Sequence, residues 1–247
     1  LTYMKRPHML HVKTVAVGTD YTCIPFWEET DCNYYVIPHE DLIDEFVRRG
    51  VPREKLLPYG IPVAQAFTRP ADRKTARKKC HLMSGSMGFG RLAVFALALA
   101  KHCRAGEHII IICGNNDKMK RILNQQFHGN KQVHILGYTN HVALYMDACD
   151  VIFTKPGGLT STEALVKSIP LIHTAPIPGC ETKNSSFFTE HGLSFASKYM
   201  IEQIRLGQLL IQDKALAQEM QAVLPVRTAC ETPVRNVPSI FVRTPFV

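Results

Sequence analysis

The chain holds eight cysteines but no C-x-x-C pair, which argues against a zinc ribbon or a thioredoxin-like redox site. No apolar run approaches the roughly 20 residues that cross a bilayer; the longest, 92–100, reads as a buried helix. There is no D-x-D triplet to argue for a bound metal, no repeat of fixed period and no low-complexity tract. No aromatic residues interleave with the basic run 69–79 and no binding motif accompanies it, so nucleic acid is excluded as a partner. The chain opens on Leu1, not Met, without a secretory pattern, and is expected to be a fragment or a processed form.

What is present is an ordinary core-forming composition. The 247 residues are 46% hydrophobic, enough for one large domain or two small ones. Cysteines in apolar strands or at helix ends, such as Cys113 and Cys149, suit reduced, buried thiols of a cytoplasmic protein. The formal charge of +8 is unevenly placed: residues 1–68 carry −2, residues 69–147 carry +9 and residues 148–247 carry +1. The excess begins at 69–79, either a solvated linker or a patch for anionic lipid head groups.

Short apolar strands are expected at 12–17, 33–37, 55–61, 81–83, 108–113, 133–136, 150–154, 171–174 and 193–196. Helices are expected at 40–49, 91–102, 118–127, 141–148, from Thr160, at 181–191, and one or two within 201–224. This alternation indicates an α/β chain with parallel sheets covered on both faces. Ligands of such sheets bind beyond the carboxyl ends of the strands, where the glycine-bearing turns fall. Residues 225–247 have no helical period and form an irregular tail.

The densest stretch is 154–188, TKPGGLTSTEALVKSIPLIHTAPIPGCETKNSSFF. Two strand-to-helix turns stand close together in it. Glycines let backbone approach a ligand, and a helix start offers unpaired N–H groups and a positive dipole end, a setting for a nucleotide diphosphate. Thr160 and Glu163 have capping-box spacing. Outside this stretch, Asp20 ends the 12–17 strand as either a cap or a cleft-facing base. His39 stands at a helix start, His173 in an apolar strand as a satisfied buried residue, and His191 at a helix end. Trp27 is expected to pack.

The blocks KPGG-x-T-x-x-EA and P-x-PG-x-E-x-x-N-x-x-FF resemble the monogalactosyldiacylglycerol synthase and diacylglycerol glucosyltransferase family, relatives of the lipid II N-acetylglucosaminyltransferase. TDYTCIPFWEETDCNYYVIP, the turn at Gly60 to Pro62, the LGY loop at Leu136 to Tyr138 and the glycine-rich turn 85–90 resemble it too. The likeness covers roughly residues 12–224. It implies a GT-B fold of two Rossmann-like domains, the first incomplete. Residues 1–68 would be the end of an acceptor-binding domain, 69–79 a basic linker and 80–224 a UDP-sugar donor domain.

The resemblance also implies roles. Gly85, Ser86 and Gly88 would face the diphosphate, Gly137 and Tyr138 would border the uracil, and Gly157, Gly158 and Thr160 would hold phosphates. Glu163 would accept from the ribose hydroxyls. Glu181 and Asn184, beside Pro178 and Gly179, would contact the donor sugar. No metal and no cofactor are implied, since amides and a helix dipole can stabilise the leaving UDP. Two positions depart from the family: Cys180 replaces its usual Gln, and Ile24 stands where a His is frequent. The family's glycine-rich N-terminal loop, with its expected main base, is missing, which leaves Asp20 as the acidic candidate within this chain.

The function implied is transfer of a hexose from a UDP-sugar to a lipid acceptor, diacylglycerol above all, with inversion. The protein would be peripheral on the inner face of an anionic membrane. The alternatives are a UDP-N-acetylglucosamine transferase or epimerase, and a non-catalytic UDP-sugar-binding fragment.

Overall fold

The computed structural model describes residues 12–69, 71–74, 76 and 92–222. Strands β1 (Val15–Val17), β2 (Tyr34–Val36) and β3 (Leu56–Leu57) form one parallel sheet in the order β1-β2-β3. β4 (Ile109–Ile112) pairs in parallel with β5 (Val133–Leu136). β6 (Ile152–Thr154), β7 (Leu171–His173) and β8 (Phe195–Ala196) form a third parallel set in that order. Every described pairing is parallel, which requires a crossover between partners, and helices supply most of those crossovers.

A 3-10 turn, Glu40–Leu42, leads into α1 (Ile43–Arg48), and α2 (Gln65–Thr68) follows β3. Then come α3 (Leu92–Lys101), α4 (Asp117–Gln126), α5 (Val142–Ala148), α6 (Gly158–Val166), α7 (Cys180–Glu190), α8 (Met200–Gln212) and α9 (Lys214–Ala222). Their starts follow local chemistry. The Asn116 side chain accepts from Met119 N–H at 3.0 Å and caps α4. Asp213 ends α8, and its carboxylate accepts from Leu216 N–H at 3.0 Å to begin α9.

Several expectations shift. The strands expected at 12–17 and 55–61 shorten to β1 and β3, because the ladder ends where partner strands end. The apolar helix α3 buries Leu92, Phe95 and Ala96 but leaves Val94 and Leu97 exposed, so it is a one-faced helix. Thr160 does not begin α6: Gly157 is the N-cap, and Thr160 lies within the first turn without a capping bond. The strand expected at 81–83, the glycine-rich turn 85–90, nearly all of the basic run after Lys74, and the tail lie outside the described residues.

One apolar cluster spans both ends of the chain. Tyr21, Tyr35, Ile37 and Phe46 share it with Ala164, Leu171, Phe187 and Phe188. A second cluster covers β4 and β5 with Leu92 and Ala96 of α3, and a third packs Phe95, Ile204 and Leu210 on Val151, Phe153 and Ile172. Gly207 allows α8 to lie directly on β6, since a Cβ there would come within 2.3 Å of the Phe153 ring.

Where the chain crosses from residue 69 to 71 it is anchored. Lys167 Nζ meets Asp147 Oδ2 at 2.8 Å and donates to the Arg69 carbonyl at 3.1 Å. Asp147 also accepts from Ala71 N–H, and Arg73 pairs with Asp150 at 3.3 Å. The backbone at Arg69 and Ala71 and the Arg73 guanidinium are thus tied to Lys167, Asp147 and Asp150, while Arg69, Arg73 and Lys74 are themselves exposed.

Candidate active site

Three turns at the carboxyl ends of parallel strands converge: 18–20 after β1, 155–158 after β6 and 175–179 after β7. Their approach is close. A Cβ on Gly158 would lie 1.8 Å from the Thr19 carbonyl oxygen and 3.3 Å from the Asp20 Cα. Gly158 is thus required by the opposing backbone. Gly157 has ordinary φ, −80°, and open space where its Cβ would be. Neither glycine of the pair takes positive φ; Gly179 does, at φ 116°, as the N-cap of α7.

Asn184 sits beneath this convergence, with no exposed surface. Its Oδ1 accepts from Tyr21 N–H at 2.7 Å. Its two amide protons go to Asp20 Oδ1 at 2.8 Å and to the Pro156 carbonyl at 3.0 Å. The amide for which the resemblance implies a donor-sugar contact also holds Asp20 in place. Tyr21 continues the seam: its hydroxyl meets Thr162 Oγ1 at 2.9 Å, and burial pushes the phenol up to about 12. Thr162 in turn donates to the Gly158 carbonyl at 2.7 Å.

Glu181, on the first turn of α7, is fixed from two sides. Oε1 forms an ion pair with Lys155, and Oε2 accepts from Ile177 N–H at 2.9 Å. Glu163 faces outward from α6, half-buried, and burial pushes its carboxyl up to about 7. Among the described residues its side chain has no hydrogen bond or ion pair. A carboxylate in that state gains from hydroxyl donors that reach it. Thr160 is half-buried near it, while Pro178 and Gly179 are exposed. Gly137 packs against the Lys120 amine, and Tyr138 is 70% exposed at the end of β5. Gly85, Ser86 and Gly88 lie outside the described residues.

The structure thus brings together Asp20, Gly157, Gly158, Glu181 and Asn184. Two participants were missed from sequence: Lys155, which orients Glu181, and Thr19, whose carbonyl explains Gly158. The lysine stands before the glycine pair as an opposite charge to the later Glu, but 26 residues apart, so only the fold pairs them. The other side chains fall as expected. His173 is buried between Ser161 Oγ (2.9 Å) and Ser194 Oγ (3.0 Å), and burial lowers its ring to about 3. Trp27 packs on Tyr35 and Phe46.

Residues 80–216, more than half of the chain, match the family described as glycosyltransferase family 28 C-terminal domain. The chain belongs to glycosyltransferase family 28. Residues 1–63 match the family described as monogalactosyldiacylglycerol (MGDG) synthase. A curated relative, the processive diacylglycerol beta-glucosyltransferase of Staphylococcus carnosus (strain TM300), is 32% identical over 225 residues, 86% of this chain and 58% of the relative. The chain therefore spans less than two thirds of that relative's length.

Among solved structures, UDP-GlcNAc 2-epimerase from Neisseria meningitidis bound to UDP-GlcNAc superposes with TM-score 0.65 at 12% identity, over 92% of this chain and 68% of that one. MurG of Acinetobacter baumannii gives TM-score 0.62 at 14% identity, over 92% and 64%. Likeness at that identity establishes the fold alone, an α/β architecture of GT-B type. This family 28 chain places its converging turns at the carboxyl ends of its parallel strands, as that architecture requires for a ligand cleft.

Proposed function

We propose that the protein containing this chain transfers a hexose from a UDP-sugar to the hydroxyl of a lipid acceptor of the diacylglycerol type, with inversion. Family membership and the name of the curated relative support this reading. The single observation that carries it is the convergence of the turns bearing Asp20, Gly158 and Glu181.

In this reading the acceptor oxygen attacks the anomeric carbon as the bond to the diphosphate breaks, and UDP leaves with the electron pair. The hydroxyl proton passes to a carboxylate. Asp20 is the acidic candidate in this chain, held by Asn184. The start of α6, with Gly157, Gly158 and Thr160, would hold the diphosphate by N–H donors and dipole, together with Gly85, Ser86 and Gly88. Glu163 would accept from the ribose hydroxyls, and Gly137 and Tyr138 would border the base. Glu181, beside Pro178 and Gly179, would accept from the sugar hydroxyls. The chemistry asks for no metal or cofactor.

Basic residues 69–79 would serve an anionic membrane surface, with the protein peripheral on the cytoplasmic side. No helix among the described residues is long and apolar enough to cross a membrane. Residues 1–68 would belong to the acceptor domain and 80–224 to the donor domain.

The test is a transfer assay of the complete gene product with a panel of UDP-hexoses and diacylglycerol in mixed micelles. A lipid-linked hexose of inverted configuration is the expected product. Absence of transfer and of hydrolysis with every sugar refutes the reading, and product formed without any acceptor points to epimerisation.

A further inference from the structure

The end of α7 makes an unusual contact. His191 Nδ1 lies 2.7 Å from the Phe187 carbonyl oxygen, and His191 Nε2 lies 2.8 Å from Asp41 Oδ2. A carbonyl oxygen only accepts, so Nδ1 carries the proton. In a neutral ring the Nε2 lone pair then faces a carboxylate oxygen. Two acceptors so close require a cation, either a second proton or a metal ion.

His39 completes a ligand set. Its Nδ1 lies 3.5 Å from the same Asp41 oxygen and accepts from the Asp41 N–H at 3.3 Å, a bond that an ion would replace. One nitrogen of each histidine and one Asp41 oxygen all lie within 4.8 Å of one another. Bonds of about 2.0–2.1 Å in a tetrahedral site separate donor atoms by roughly 3.3 Å, so small adjustments would seat an ion. The His191 ring already has the support that metal-bound histidines have, its other N–H given to a backbone carbonyl. Phe187 steadies both rings, stacked on His191 at 4.0 Å and edge-on to His39 at 5.4 Å. The histidine side chains are each 24% exposed and that of Asp41 is 55% exposed, which leaves a solvent side for entry and for water as a further ligand.

We propose that His39, Asp41 and His191 bind a zinc-class divalent cation that ties the turn after β2 to the carboxyl end of α7. Two imidazoles and one carboxylate suit zinc, cobalt or nickel, whereas magnesium and calcium prefer all-oxygen shells. The ligands are drawn from opposite ends of the chain, so the ion would fasten α7 to the first sheet. Glu181 sits at the other end of that helix, roughly 15 Å away at 1.5 Å per residue. The role is therefore structural, distinct from the transfer chemistry, and does not depend on the proposed reaction.

The test uses the full chain, stripped with chelator, titrated with Zn²⁺ and with Co²⁺, and followed by calorimetry, thermal melting and visible absorption. The expected result is one Zn²⁺ per chain, a raised melting temperature, and a Co²⁺ spectrum without the thiolate charge-transfer band that the cysteines would give. Mg²⁺ should give neither effect. H191Q and D41N should each weaken Zn²⁺ at least tenfold, the scale of a lost ligand or supporting partner. H39Q is the second variant if either fails to fold. A Zn²⁺ affinity unchanged in the folded variants overturns the proposal. So does absence of binding by the well-folded chain, which would mean that a proton alone holds the His191–Asp41 contact.

Discussion

Asn184, itself fully buried, donates to the half-buried Asp20 across 164 residues of sequence at 2.8 Å. The same amide bridges the Tyr21 N–H and the Pro156 carbonyl, so one side chain joins the turn after β1 to the turn after β6. Removing it in N184A leaves two buried polar partners, the Tyr21 N–H and the Pro156 carbonyl, unsatisfied and frees the half-buried Asp20 carboxylate. A loss of about 2–4 kcal/mol is expected, given about 1–3 kcal/mol for each stranded group and partial relaxation. N184D should be worse for transfer than N184A, because it faces Asp20 and a carbonyl with a second acceptor. Urea unfolding and steady-state kinetics check this. A variant of native stability with a raised KM for the donor would instead assign the amide to the sugar.

The adjacent glycines should behave oppositely. G158A drives a Cβ into the Thr19 carbonyl at 1.8 Å, backbone against backbone, and should cost on the order of 3 kcal/mol or more as the turns are forced apart. G157A meets open space at an ordinary φ and should change stability by less than about 0.5 kcal/mol. Its effect, if Gly157 approaches the diphosphate, should appear in UDP affinity alone. Thermal melts and UDP titrations of the two variants separate these outcomes.

These cases show what a sequence exposes and what it hides. The strands β4, β6 and β7 were legible because they are buried on both faces, so their residues read as mostly hydrophobic runs. The turns of the site were legible because glycine and proline punctuate them. Partners were not legible. Gly158 has the composition of a phosphate turn, but the atom that demands a glycine is Thr19 O, far away in sequence. Thr160 and Glu163 have the spacing of a capping box, yet the helix begins two residues earlier, at Gly158, which permits the close packing that the seam needs. Long-range packing was hidden too: the largest apolar cluster draws Tyr21 and Phe46 together with Phe187 and Phe188.

Two buried groups pull the pH dependence of stability in opposite directions. Burial raises Glu163 to about 7 from its ordinary 4.5, so the native state keeps a proton that the unfolded chain releases. Its contribution is present below pH 4.5 and is lost as pH rises to about 7. Burial lowers His173 to about 3 from 6.5, so the unfolded chain takes up a proton that the native state refuses. That contribution is present above pH 6.5 and is lost as pH falls toward 3. Between pH 4.5 and 6.5 the two slopes oppose each other. E163Q should therefore gain stability relative to the parent across pH 4.5–7, reaching roughly 2 kcal/mol after allowance for partial solvent screening, with no gain below. Urea melts at half-unit pH intervals test this, and a difference independent of pH would contradict it.

The same carboxyl gives a binding signature. Ribose hydroxyls donate to the ionised form, so UDP binding should release a proton near neutral pH. Affinity should rise as pH passes through about 7. Calorimetry in buffers of different ionisation enthalpy measures the release directly. In E163Q the release should vanish and binding should weaken by about 1–3 kcal/mol. Proton release unaltered in E163Q would place the ribose elsewhere.

Lys155 and Glu181 supply the most selective test of how the site divides its work. Glu181 is held by the Lys155 ammonium on one oxygen and by Ile177 N–H on the other. The lysine is 44% exposed and the glutamate 13%, so the pair matters less for stability than for orientation, and K155M should shift unfolding by less than about 1 kcal/mol. With the ion pair gone, the carboxylate keeps only one anchor and can leave the geometry that meets the sugar. A loss of about 10–100-fold in kcat/KM for the UDP-hexose is expected, or about 1.4–2.7 kcal/mol at 1.36 kcal/mol per tenfold. UDP itself has no sugar, so its affinity should change by less than about threefold, within 0.7 kcal/mol. Equal losses for UDP and UDP-hexose would mean that the Lys155 ammonium engages the diphosphate, and that Glu181 is the partner keeping it there.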